Sequence, residues 1–219
     1  VLIGHETFVA KGPGQLERRA SSPLPAPNPG GVEECVFRHI RQPDRAALDG
    51  YRRTGGFDGL TKAVTEMTSA EVIELVRESK LAGRGGAGFP TGVKWKAVAD
   101  AQNGPKTVVC NADEGEPGCF KDRALMDHDP FAVLEGMTIA AYATGASRGF
   151  LYLRYEYPET YDRMAAAISA AEEAGFLGKN ILGSDFSFRV YLRRGAGAYI
   201  CGEEGALLNS LEGKHPFPR

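Results

Sequence analysis

Three short stretches concentrate the residue types that do chemistry. Asn111-Ala112-Asp113-Glu114-Gly115-Glu116-Pro117-Gly118 sets an amide beside three carboxylates. Such groups suit hydroxyls and imide N–H groups and repel phosphates, so the stretch reads as recognising a polyol or a ring edge. A solvated acidic turn is the plainer reading, and three carboxylates could also hold Mg2+. The ligand reading is favoured because the cluster directly follows the apolar run Thr107-Val108-Val109-Cys110, where α/β folds place ligands.

Gly83-Arg84-Gly85-Gly86-Ala87-Gly88-Phe89-Pro90-Thr91-Gly92 carries five glycines in ten residues. Backbone without side chains admits a flat or phosphorylated ligand, with main-chain N–H groups as donors. Phe89 could stack on a ring, and Arg84 or Lys94 could meet a phosphate. A hinge, with Phe89 as a core or lid residue, is the plain alternative. Gly83, Gly85 and Gly88 spell G-x-G-x-x-G, but a helical pattern precedes them instead of a strand, which argues against the dinucleotide fingerprint. No Walker A pattern is present.

The third stretch runs through Gly195, Gly197 and Tyr199 into a helix opening at Glu203-Glu204. Donors at that helix start suit an anion, while either acid alone is explained by the helix dipole. Cys201 reads as a small buried residue, since no partner base can be named for it. Together the three stretches suit an extended ligand with a flat ring, hydroxyls and phosphate. Flavin mononucleotide and a dinucleotide both fit, and spacing does not separate them.

The elements that must position these loops are legible in part. Thr68 and Glu71 have capping-box spacing before a helix over about 69–81, with Val72, Leu75, Val76 and Ser79 on one face. A short helix is predicted from Lys94. Asp129-Pro130 reads as the cap and first position of a helix reaching about Thr144. Strands are predicted over 107–110, 150–153 and 188–192, and helices over 158–174 (ended by Gly175) and 203–212. Repeated strand–loop–helix order predicts an α/β fold, Rossmann-like, with a mostly parallel sheet. Residues 1–31, with alternate prolines over 23–29, read as an extended linker, and 32–58 give weak signals. The expected organisation is an arm over 1–49 and a ligand-binding α/β domain over 50–219.

Composition sets the outer bounds. The 219 residues carry a net charge of −2, which argues against a nucleic-acid partner held by phosphate neutralisation. No apolar run reaches the roughly 20 residues of a spanning helix, so membrane insertion is not expected. No secretory leader is visible, although Val1 is not a natural initiator. Cysteines at 35, 110, 119 and 201 form no C-x-x-C pair, and the four histidines show no ligand spacing, so no metal or complete iron–sulfur site is expected. Reduced thiols in the cytoplasm are the expectation.

These motifs, in this order over about 50–214, resemble the NADH-binding flavoprotein subunit of respiratory complex I, the 51-kDa type, also found in NAD-linked formate dehydrogenases and NAD-reducing hydrogenases. The motif Gly197-Ala198-Tyr199-Ile200-Cys201-Gly202-Glu203-Glu204 completes the set. The resemblance implies FMN held by Gly83, Arg84, Gly85, Gly86, Ala87, Lys94, Asn111, Asp113, Glu114, Tyr199, Gly202 and Glu203. It implies NAD(H) stacked on the flavin, with Phe89 near the adenine, and Glu116 and Glu204 tuning nicotinamide binding and release. The implied reaction is hydride transfer between nicotinamide C4 and flavin N5, with one-electron exit to iron–sulfur clusters. The family's C-x-x-C-x-x-C set for a [4Fe–4S] cluster does not occur in these 219 residues. Implied partners are a thioredoxin-like [2Fe–2S] subunit and other iron–sulfur subunits. The competing reading is a non-catalytic nucleotide-binding or assembly fragment of such a complex.

Overall fold

The computed structural model describes residues 2–3, 6–12, 15–18, 24–27, 34–42, 44–84 and 86–219. A three-stranded parallel sheet is formed by β4 (Thr107–Ala112), β5 (Arg148–Leu153) and β6 (Arg189–Arg194), in that order. Ala112, Leu153 and Arg194 are partners across it, so the three strands end level and their following loops leave from one edge.

Helices connect the strands, as parallel pairing demands. Between β4 and β5 lie α5 (Lys121–His128) and α6 (Pro130–Thr144), and between β5 and β6 lies α7 (Pro158–Glu173). Leu151, Leu153 and Val190 pack with Leu134, Met137, Met164 and Ala167 of α6 and α7 in the main core. The opposite face is covered by a 3-10 turn, Tyr199–Gly202, and α8 (Glu204–Leu211), through Tyr152, Cys201 and Leu207. The expected α/β architecture with a parallel sheet is therefore present, and Cys201 is fully buried against it.

Ahead of the sheet come α1 (Leu48–Arg53), α2 (Asp58–Glu66), α3 (Ser69–Glu78) and α4 (Thr91–Asp100). The capping box of α3 is formed as its spacing predicts: Thr68 Oγ1 accepts from Glu71 N at 3.3 Å, and the Glu71 carboxylate accepts from Thr68 N at 2.7 Å.

Three details differ from the sequence reading. Asp129 precedes α6, yet its side chain caps no N–H of that helix; it is drawn instead to Arg45, 3.0 Å away, in a pair with both side chains 6% exposed. That pair docks residues read as an arm onto the α/β unit. The backbone of β1 (Leu2–Ile3), β2 (Glu6–Gly12) and β3 (Gln15–Arg18) pairs antiparallel where a linker predicts no strands. Thr7, Phe8 and Val9 are strand formers, and the proline-rich run begins only after them. Of that run, 24–27 alone lie among the described residues.

Candidate functional site at the carboxyl edge of the sheet

Two of the three motif loops meet beyond the ends of β4 and β6. Asn111 Nδ2 donates to the Gly202 carbonyl at 2.7 Å, and Asn111 Oδ1 accepts from Asp113 N at 3.2 Å. One amide thus ties the acidic loop to the 3-10 turn and shapes the loop itself. Glycines stand where the two loops touch. A Cβ on Gly195 would lie 3.0 Å from Asp113 Oδ1, and one on Gly202 would lie 3.2 Å from the Asp113 carbonyl. A Cβ on Gly115 would press on the Tyr199 ring at 3.2 Å.

The three carboxylates of the cluster separate into three roles. Asp113 is 8% exposed, and its Oδ2 is buried without a hydrogen-bond partner. Burial, then the nearby Glu156, pushes its carboxyl up to about 6, against a smaller opposing effect of Arg154. An unpaired buried carboxylate oxygen carries a desolvation penalty that a ligand hydroxyl or N–H would relieve. Glu114 turns inward. It accepts from the N–H groups of Asp122 at 2.9 Å and Arg123 at 3.2 Å, and from Tyr157 Oη at 3.1 Å, so it caps α5. Glu116 stays exposed and accepts from Tyr199 Oη at 2.6 Å.

The two acids at α8 separate likewise. Glu203 accepts from Gly205 N at 2.9 Å and Ala206 N at 2.7 Å, and these backbone bonds hold its carboxyl below the ordinary value. Its carboxylate is therefore engaged as the N-cap of α8. Glu204 is exposed.

The Gly-rich loop is exposed. It joins α3 to α4, and its neck is closed by Gly83 N to Phe89 O and Thr91 N to Leu81 O, each 2.9 Å. Arg84, Gly86, Ala87, Phe89 and Lys94 are all exposed, while Gly85 lies outside the described residues. Gly86 and Gly88 have positive φ with open space around them, whereas Gly92 is packed where α4 crosses α3. Among the described residues no hydrogen bond joins this loop to 111–118 or 195–204. Hydrogen bonds and glycine contacts thus bring together Asn111, Asp113, Glu116, Tyr199 and Gly202, while the first motif forms an exposed arch. Sequence reasoning missed Arg154, Glu156 and Tyr157, which follow β5 and frame Asp113 and Glu114; their position after a strand was the available signal.

A groove of about 560 Å³ between α1, α2 and Phe176 shares no lining residue with these loops. Mixed charges (Asp49, Arg52, Arg53 and Asp58) line it, and it offers no buried unpaired group of the kind found at Asp113. Among the described residues, no group of three or more His, Cys, Asp or Glu is placed to hold a metal.

Comparison with known proteins decides the family. The Nuo51 FMN-binding domain matches residues 76–219. The chain belongs to this family. Residues 76–219 contain all three motif loops, and a buried acceptor among glycines at a strand end suits a family that binds FMN. The chain is 53% identical over 187 residues to an NADH-quinone oxidoreductase subunit of Rhizobium meliloti, covering 85% of this chain and 44% of that protein. It is 51% identical over 175 residues to the HndC subunit of the NADP-reducing hydrogenase of Solidesulfovibrio fructosivorans, covering 80% of this chain and 35% of that one. An NAD+-reducing [NiFe]-hydrogenase in the H2-reduced state aligns with a TM-score of 0.64 at 41% identity, over 73% of this chain and 27% of that chain. The chain therefore spans less than half the length of these relatives. Among the described residues, no helix is long and apolar enough to cross a membrane.

Proposed function

We propose that this chain is the FMN- and NAD(H)-binding segment of a flavoprotein subunit that exchanges hydride with a nicotinamide cofactor inside a multisubunit redox complex. The observation that carries the reading is Asp113: a buried carboxylate oxygen without a partner, packed closely by Gly195 and Gly202 at the ends of the motif loops. It lies in a segment matched by an FMN-binding family.

Asp113 would accept from the ribityl chain or ring edge of FMN, with Asn111 and Gly202 holding the loop pair around it. Arg84 on the arch and Lys94 in the first turn of α4 would supply positive charge for a phosphate. Glu116, held by Tyr199, and Glu204 supply negative charge and acceptors for the nicotinamide nucleotide. Bound FMN would supply hydride acceptance and the conversion from two-electron to one-electron transfer. The chain's own groups bind, orient and set the charge around it, and no side chain here needs to move a proton for the hydride step.

The relatives' names carry the rest of the reading: quinone reduction in one and hydrogenase chemistry in the others. We assign the onward electron path to iron–sulfur centres of the wider complex, including a thioredoxin-like [2Fe–2S] subunit and a [4Fe–4S] cluster of the parent protein, on the cytoplasmic side. Residues 50–219 would form the binding domain and 1–49 an arm docked on it.

The test is a visible spectrum of the purified chain with added FMN, before and after anaerobic NADH. A flavin spectrum that bleaches is the expected result. Failure to take up FMN overturns the cofactor assignment. Bound FMN that NADH leaves yellow overturns the nicotinamide assignment.

A further inference from the structure

Arg154 follows β5 at the edge where the motif loops converge, and its contacts run to the acidic loop and its support. Its main-chain N–H donates to the Ala112 carbonyl at 3.1 Å, continuing the sheet by one bond. Its side chain donates through Nη1 to the main-chain carbonyl of Glu114, and through Nε to Glu156 at 3.1 Å. The guanidinium lies 5.5 Å from the centre of the Tyr157 ring, whose hydroxyl donates to the Glu114 carboxylate. Glu114 is thereby gripped twice, at its carbonyl by Arg154 and at its carboxylate by α5 and Tyr157. The residues on either side of that grip are Asp113 and the Gly115–Glu116 turn. A loop that must present a buried acid and an exposed acid to one ligand needs such a fixed point, because loop backbone has no ladder of its own.

We propose that Arg154 is a positioning residue for the cofactor site: by holding the Glu114 carbonyl it fixes the turn that presents Asp113 and Glu116 to the bound ligand. The proposal rests on the FMN reading above. A planar, forked cation suits the task, since it reaches the carbonyl and Glu156 at once while stacking on Tyr157, which a lysine does not do. Arg154 also acts on Asp113 by charge. Glu156 and Arg154 are the charged groups facing Asp113, and they push its carboxyl in opposite directions.

The experiment is FMN affinity, read by flavin-fluorescence quenching from pH 5 to 8, for the wild-type chain, Arg154→Gln and Arg154→Lys. Loss of a charged hydrogen bond that orders the site weakens FMN binding by about ten- to a hundred-fold in Arg154→Gln. The pH at which affinity changes moves upward in that variant, because Asp113 loses its cation and keeps Glu156. Arg154→Lys weakens binding too, through the lost fork, while its inflection stays with the wild type.

Wild-type affinity in both variants overturns the proposal. So does a loss in Arg154→Gln that is equal at every pH, the signature of a merely loosened fold. Where Arg154→Gln does not fold, Arg154→Lys decides, and wild-type affinity there overturns the proposal. A wild-type chain that takes up no FMN overturns the reading beneath it as well, which separates the two failures.

Discussion

Tyr199 Oη donates to Glu116 at 2.6 Å, joining a 3-10 turn to a loop 83 residues earlier across the mouth of the site. The Tyr199 ring rests against Gly115, and the residue is 66% exposed. An exposed tyrosine kept at one position by a hydrogen bond and a glycine contact places a carboxylate without burying it. Glu116 is therefore held exposed beside the buried Asp113.

The first prediction follows from that separation. Glu116→Ala should raise KM for NADH about ten-fold, the loss of a charged hydrogen bond, while FMN affinity changes less than about three-fold. Steady-state kinetics and fluorescence titration on one preparation check it. Unchanged NADH kinetics would remove Glu116 from the nicotinamide site.

Asp113 predicts a pH dependence of stability with a definite sign. Its folded value of about 6 lies above the ordinary 3.8, so between those values the folded state holds the extra proton. Unfolding free energy of the ligand-free chain then falls as pH rises from about 4 to 6, by at most about 3 kcal/mol. Asp113→Asn should flatten that slope and be the more stable chain at pH 7, while binding FMN less well. Denaturant titrations at pH 4, 5, 6 and 7 read the slope. A wild-type curve that is flat or rising over that range, relative to Asp113→Asn, would refute the burial argument.

What was legible in the sequence was local. The capping box of Thr68 and Glu71 closes within one turn, and β4 to β6 centre on short runs of β-branched, aromatic and aliphatic residues bounded by loops, so spacing alone finds them. The α5 helix was not found because its N-terminus is capped from a distance by Glu114, eight residues before Asp122. The start of α2 is hidden for the same reason, since Glu135 of α6 accepts from Phe57 N and Leu60 N at 2.9 Å. The acidic cluster shows the limit most clearly. Asp113, Glu114 and Glu116 look alike as residue types, and only tertiary partners turn one inward, leave one buried and unpaired, and expose the third.

Gly92 tests a glycine whose role is packing. A Cβ there would sit 2.6 Å from the Arg77 Cα, against backbone that cannot rotate away. Gly92→Ala should therefore push α4 off α3 and cost about 1–3 kcal/mol in denaturant unfolding, despite the better helix propensity of alanine. A stabilised Gly92→Ala chain would show that the helices separate easily.

The last prediction concerns Arg45 and Asp129. Both side chains are 6% exposed, and Arg45 also donates to Thr54 and lies 4.3 Å from the centre of the Tyr51 ring. Burial pushes the Asp129 carboxyl up, and Arg45 pulls it back. Removing the cation leaves a buried carboxylate without its ion-pair partner, which costs about 3–5 kcal/mol, whereas replacing both charges by apolar groups of similar size costs far less. Arg45→Met should thus destabilise the chain strongly at pH 7 and expose 34–47 to protease, and adding Asp129→Leu should restore most of the stability. Denaturant unfolding and limited proteolysis of the three chains measure this. If the double variant is no more stable than Arg45→Met, the arm is held by the ion pair itself and not by the packing around it.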